Sequence, residues 1–180
     1  MKEIVKIPQE VQVEIQGLNI KVSGSNGSLE RDFSNPEINK IIKIEKENNN
    51  LIVSSSSDKR KIKAYVGMIA ARINEMINGV IQDYVYKLKI VYMHFPINVK
   101  ISENKIIISN FLGEKTPRIA EIPKNVKVEI QGDTIIVKSP NKELAGETAA
   151  RIEMATRIKA RDRRVFEDGI FIVEKPGRLK

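Results

Sequence analysis

The residues best suited to chemistry in this 180-residue chain are five cations crowded near its end: Arg157, Lys159, Arg161, Arg163 and Arg164. Guanidinium groups are planar, permanently charged and rich in donors. Several held together suit phosphate recognition, not bond breaking. On a helix Arg157, Arg161 and Arg164 share one stripe, and Lys159 with Arg163 a neighbouring one. On a strand Arg157, Lys159, Arg161 and Arg163 share a face. Either arrangement brings several cations together. Asp162, Glu167 and Asp168 lie among them and read as salt-bridge partners. Lys175, Arg178 and Lys180 add a basic tail.

Catalytic residue types are scarce. With no Cys there is no thiol nucleophile, disulfide framework or Cys-ligated zinc. The single His, His94, is a poor basis for a triad or a metal site and reads as structural. No phosphate-loop, zinc-protease or nucleophile-elbow motif occurs. The expectation is a chain that is not an enzyme, with no metal, no cofactor and no small-molecule substrate. Its formal net charge of +8 instead seeks polyanions. That charge is uneven. Residues 1–82 hold 12 Lys/Arg against 10 Asp/Glu, and residues 83–180 hold 19 against 13. Residues 155–180 alone hold 8 against 4, half of the whole excess. No signal peptide is visible behind Met1, and the apolar runs fall short of a membrane span.

The elements that must position the basic run come as a repeat. Gly67-Met68-Ile69-Ala70-Ala71-Arg72-Ile73 returns as Gly146-Glu147-Thr148-Ala149-Ala150-Arg151-Ile152, with five of seven positions identical. Each copy follows short apolar strands. Val11, Val13 and Ile15 alternate with polar residues, break at Gly17-Leu18-Asn19 and resume at Ile20 and Val22, a hairpin. Leu29 to Phe33 forms a short strand. Ile41–Glu45 and Leu51–Ser54 flank Asn48-Asn49-Asn50 as a second hairpin. The Ser54–Ser57 run with Asp58 predicts a loop and a helix N-cap. Val66, Ile69, Ile73 and Ile77 then recur at helical spacing until Gly79 is expected to end the helix. Asp83–Tyr92 is strand-like and predicts a short ordered connection.

The second half repeats this order. Strands are expected at Pro96–Ile101 and Lys105–Ser109, and a hairpin around Gly132-Asp133 joins Val126–Ile130 to Ile135–Lys138. A helix opens at Ser139-Pro140-Asn141, and an apolar strand follows at Ile170–Val173. Another match, Val11–Gly17 with Val126–Gly132, has an offset of 115 residues against 79 for the helical phrase. One duplication cannot have both, so the first is read as a shared hairpin type. The small residues of G-x-x-A-A-R-I are expected to seat each helix closely on its sheet. The predicted fold class is α+β. Two tandem related domains, 1–82 and 83–180, would each be an antiparallel sheet with one helix on one face.

The basic run then lies between a helix and a strand, which favours folded RNA over DNA. No helix-turn-helix, zinc finger or basic zipper is present, and aromatics at 5% supply no stacking platform. At Asn110-Phe111-Leu112-Gly113 and Asn141 through Glu153 the chain resembles the large-subunit ribosomal protein L-six family, called L-nine in the eukaryotic cytosolic scheme. Arg161 through Ile170 is similar to its archaeal and eukaryotic branch. The resemblance spans nearly the whole chain. It implies a structural, cytoplasmic ribosomal constituent that clamps large-subunit rRNA near the stalk base and the sarcin–ricin loop, beside neighbouring ribosomal proteins. Carried onto this chain, the family's RNA contacts fall in the second domain. They are Lys138, Asn141 and Lys142 before the second helix, then Arg157, Lys159, Arg161, Arg163 and Arg164, with Lys175, Arg178 and Lys180 in the tail. The competing reading is a basic adaptor that receives partner chains along exposed sheet edges.

Overall fold

The structure is a computed structural model that describes residues 2–159, 161–162 and 164–177. The chain divides into two compact units, Met1–Asp83 and Tyr84–Lys180. In the first unit, β1 (Lys2–Lys6), β6 (Asn50–Ser55) and β5 (Ile42–Glu47) form one antiparallel sheet in the order β1-β6-β5. A second sheet holds β2 (Gln12–Gln16), β3 (Asn19–Gly24) and β4 (Gly27–Asp32). The single helix α1 runs from Arg60 to Ile81. Each domain was expected to hold one sheet; this unit has two. A run of short strands broken by tight turns buries more apolar surface by folding into two layers over one helix.

Period-two burial makes the strands. Val13, Ile20, Val22, Leu51 and Val53 are buried while their sequence neighbours face outward. The β2–β3 hairpin turns at Gly17-Leu18, with Gly17 at φ +67°. Glycine in the first turn position gives the strands their right-handed twist. Gly132 does the same at φ +58° in the later E-I-Q-G. Helix α1 buries Ile62, Val66, Ile69, Ile73, Ile77 and Val80 along one stripe. At roughly 1.5–3 kcal/mol for each large apolar side chain, that stripe outweighs a weak helix start. The start is indeed weak. The N-cap is Lys59, with no side-chain cap, where a Ser or Asp58 cap was expected. Gly79 does not end the helix either. It is buried inside the last turn, and the Val80 carbonyl accepts from the Asn26 amide at 2.9 Å.

The second unit repeats this plan. One sheet has the order β11-β12-β7-β13, from β11 (Lys127–Gln131), β12 (Thr134–Ser139), β7 (Tyr84–Val91) and β13 (Gly169–Glu174). The other has β10 (Arg118–Glu121), β9 (Lys105–Ser109) and β8 (Asn98–Ser102). Helix α2 spans Lys142–Ala155. The expected linker, Tyr84–Val91, is an interior strand of the four-stranded sheet and pairs on both sides. The two E-I-Q-G segments lie in β2 and β11, which are not counterparts in the repeat, so they share a turn type and nothing more. No helix among the described residues is long and apolar enough to cross a membrane.

The repeated phrase divides on inspection. Ala70 and Ala149 are buried, as are Ile73 and Ile152. Arg72 and Arg151 pair on the surface with Glu75 and Glu147. The glycines differ. A Cβ on Gly146 would lie 2.9 Å from the Tyr86 hydroxyl, whereas one on Gly67 would meet nothing within 4 Å. The packing reason holds for Gly146 and fails for Gly67. Gly146→Val is therefore expected to destabilise the second unit by about 1–3 kcal/mol. Gly67→Ala should stabilise the first by about 0.5–1 kcal/mol through helix propensity. Chemical denaturation of the two variants checks this, and equal effects at the two sites would contradict it.

Candidate nucleic-acid interface

Helix α2 stops at Ala155, so the basic run is neither of the regular elements its spacing allowed. Thr156 caps the helix. Its hydroxyl donates to the Glu153 carbonyl at 3.1 Å and accepts from the Ile170 amide at 2.9 Å. The chain then forms an irregular loop, 157–168, and returns as β13. Arg118 on β10 fixes the outgoing end. It donates to the carbonyls of Ala155 at 2.9 Å and Arg157 at 3.0 Å. The same guanidinium lies 4.3 Å from the Phe111 ring centroid and bonds both Glu114 oxygens. Asp162 makes a turn within the loop, its carboxylate accepting from the Arg164 amide at 2.9 Å.

Asp168 fixes the returning end. One carboxylate oxygen accepts from the amides of Met93 at 2.9 Å and His94 at 3.2 Å. The other lies 2.9 Å from His94 Nδ1. Asp168 is thus a buried latch onto the 93–94 turn, not the arginine salt bridge its neighbours suggested. His94 stacks on Phe166 with ring centroids 4.9 Å apart, and Arg161 sits 4.9 Å from the same ring. Arg161 therefore has a fixed seat. Behind the loop, Val91, Met154, Ile158, Phe166 and Phe171 line a cavity of about 680 Å³.

The structure separates the expected binding residues into two groups. Arg157, Lys159, Arg161 and Arg164 are exposed on the anchored loop at the carboxyl end of α2. Lys138, Asn141 and Lys142 lie at its amino end, about 20 Å away along a 14-residue helix. Lys138 is committed to Glu129 across the β11–β12 pair at 3.0 Å. Asn141 is the N-cap, accepting from the amides of Glu143 and Leu144. Lys142 Nζ lies 5.8 Å from the Tyr84 ring centroid. Lys175 is exposed just after β13. Arg163, Arg178 and Lys180 lie outside the described residues. Sequence reading missed Arg118, His94 and Asp168 as the groups that hold the loop. Only the alternation of charge around Asp168 hinted at any of them.

Two carboxyls record these contacts. Arg118, bonded to both oxygens, holds Glu114 below the usual carboxylate range; partial burial opposes it and Arg161 adds to it. Burial is the largest single influence on Asp168 and pushes it up. The hydrogen bonds from the His94 side chain and the Met93 and His94 amides together outweigh burial and leave it lowered. A lowered folded value contributes stability that is present above the unfolded value, about pH 3.9, and is lost as pH falls through the folded one. Asp168→Asn should cost about 1–3 kcal/mol near neutrality. Thermal melts should show the gap from wild type steady down to about pH 5 and shrinking below pH 4. A gap that widened on acidification would contradict the latch.

Comparison with known proteins matches the same plan. The family model for Ribosomal protein L6 matches residues 7–83 and again residues 95–169, one match in each unit. The large ribosomal subunit protein uL6 of Staphylothermus marinus is 51% identical over 175 residues, covering 96% of this chain and 93% of that protein. The uL6 of Aeropyrum pernix is 49% identical over 96% of this chain and 93% of its own length. That of Methanothrix thermoacetophila is 42% identical over 97% and 99%. These relatives agree with the archaeal-type resemblance of the 161–170 segment. They also agree with a structural ribosomal role and not an enzymatic one. Two tandem matches and full-length relatives lead to one conclusion: the chain belongs to the ribosomal protein L6 family.

Proposed function

We propose that this chain is a structural constituent of the large ribosomal subunit. In the cytoplasm it would hold folded large-subunit rRNA through the loop 157–168, near the stalk base and the sarcin–ricin region. The observation that carries this reading is the pairing of exposed cations with a fixed frame. Arg157, Lys159, Arg161 and Arg164 face outward, while Arg118, Asp162 and Asp168 hold the backbone beneath them. A fixed array of cations matches the phosphates of an already folded RNA without ordering a floppy arm on binding. Lys142 and Lys175 offer softer contacts at the margins. Lys138 and Asn141 contribute by shaping the start of α2, since their side chains are engaged there. Neighbouring ribosomal proteins complete the surroundings.

Binding of the full chain to large-subunit rRNA is expected to fall steeply with salt, with a log–log slope on the order of −4 to −7 for five to eight phosphates. The double variant Arg157→Gln, Arg164→Gln should weaken binding and flatten the slope by about 1–2. Its melting temperature should stay close to that of wild type, because these two side chains make no described tertiary contact. A nearly flat wild-type slope would remove the RNA reading. A large drop in melting temperature for the double variant would make the arginines structural.

A further inference from the structure

The pairing registers of the two units align residue by residue. Lys6 pairs with Asn50 and Val5 with Leu51, as Lys89 pairs with Thr134 and Leu88 with Ile135. The Ile7 amide donates to the Asn49 carbonyl at 2.7 Å, as the Ile90 amide does to the Asp133 carbonyl at 2.7 Å. Strand β1 is therefore the counterpart of β7, with Ile4 in the place of Lys87 and Lys6 in that of Lys89. On β7 the edge away from β12 is occupied by β13. Phe171 lies opposite Lys89, Ile172 opposite Leu88 and Glu174 opposite Lys87. On β1 the matching edge carries no strand. Strand alternation turns the amides of Glu3, Val5 and Ile7 toward β6. It leaves those of Ile4 and Lys6, with their carbonyls, on the open side.

The helices carry the comparison further. In the second unit α2 seals the outer edge of β13. Glu153 accepts from the Ile172 amide at 3.0 Å and Thr156 from the Ile170 amide at 2.9 Å. The residue of α1 that stands at the position of Glu153 is Asn74. It is exposed and carries an amide oxygen that accepts in the same way. The second unit thus supplies its own fourth strand and closes it, while the first unit keeps the same docking frame open.

We propose that the β1 edge receives an extended segment of a neighbouring protein, antiparallel, in the register that β13 uses on β7. The segment would alternate apolar residues, continuing the core face of Val5, with acidic residues beside Lys2 and Lys6. Glu174 on Lys87 at 2.7 Å is the precedent within this chain. Ile4, 62% exposed between those lysines, would be covered. A second copy of this chain fits poorly, since antiparallel pairing of two β1 strands about Ile4 sets Lys2 against Lys6 at both ends. The inference rests on the chain's place in the large subunit but not on which residues hold the rRNA.

Hydrogen exchange on the full chain, free and assembled in large subunits, tests it. The amides of Ile4 and Lys6 should exchange rapidly in the free chain and at least about 100-fold more slowly in the subunit. Val5, bonded to β6, should be protected in both. Equal exchange of Ile4 and Lys6 in the two states would overturn the proposal. An Ile4→Cys chain carrying a benzophenone should cross-link to a protein in assembled subunits; cross-links to RNA alone would also overturn it. Ile4→Pro removes one outward amide and leaves the β6 ladder whole. It should melt near wild type and still enter subunits, but lose the slow exchange at Lys6; retained protection there would count against strand addition. A failed rRNA reading shows separately, as a flat salt slope with the edge still protected.

Discussion

The tie between the end of α2 and the start of β13 is the constraint on which the candidate interface depends. Thr156 is buried, caps the helix and accepts from Ile170, while Glu153 one turn earlier accepts from Ile172. These two bonds bring the ends of the 157–168 loop together. They also satisfy strand-edge amides that would otherwise be open to another chain. Arg118 and Asp168 then fix the loop from opposite sides, one through carbonyls and one through amides. Orphaning either buried partner leaves polar groups unsatisfied, which costs more than a neutral bond contributes. The cations are therefore presented by a closed backbone frame, although the loop has no regular secondary structure.

Duplication explains the frame and divergence explains the function. Both units place three strands in the same register beside one helix, and the Ala and Ile of the repeated phrase pack alike in each. The differences lie at the ends of the helices. Helix α1 continues through Gly79 to Ile81 and ends against the β3–β4 turn. Helix α2 ends at Ala155, and the chain that follows builds both the basic loop and a fourth strand. One added segment thus gave the second unit a cationic surface and closed its sheet.

Much of this was legible in the residues. Alternation located most strands to within a residue or two, and Asn141 announced the start of α2 as an N-cap. Five cations in eight positions announced phosphate binding whatever the local backbone. Other features were not legible because they depend on contacts distant in sequence. Nothing near Arg118 tells that it will hold carbonyls 37 and 39 residues away. The reach from Asp168 to the 93–94 turn is longer still. Gly67 looked like a packing residue because its counterpart Gly146 is one; only the placement of Tyr86 separates them. The helical and extended readings of the basic run both failed for one reason: periodicity describes regular elements, and the loop is held by side-chain bonds.

The central claim is that the anchored loop, and not the amino end of α2, is the principal grip on rRNA. Ultraviolet cross-linking of assembled large subunits, with the joined residues identified by mass spectrometry, tests this most directly. The account predicts RNA cross-links concentrated in residues 157–168, with few at Lys138, Asn141 and Lys142. Cross-links confined to the amino end of α2, with the loop unmodified, would contradict it.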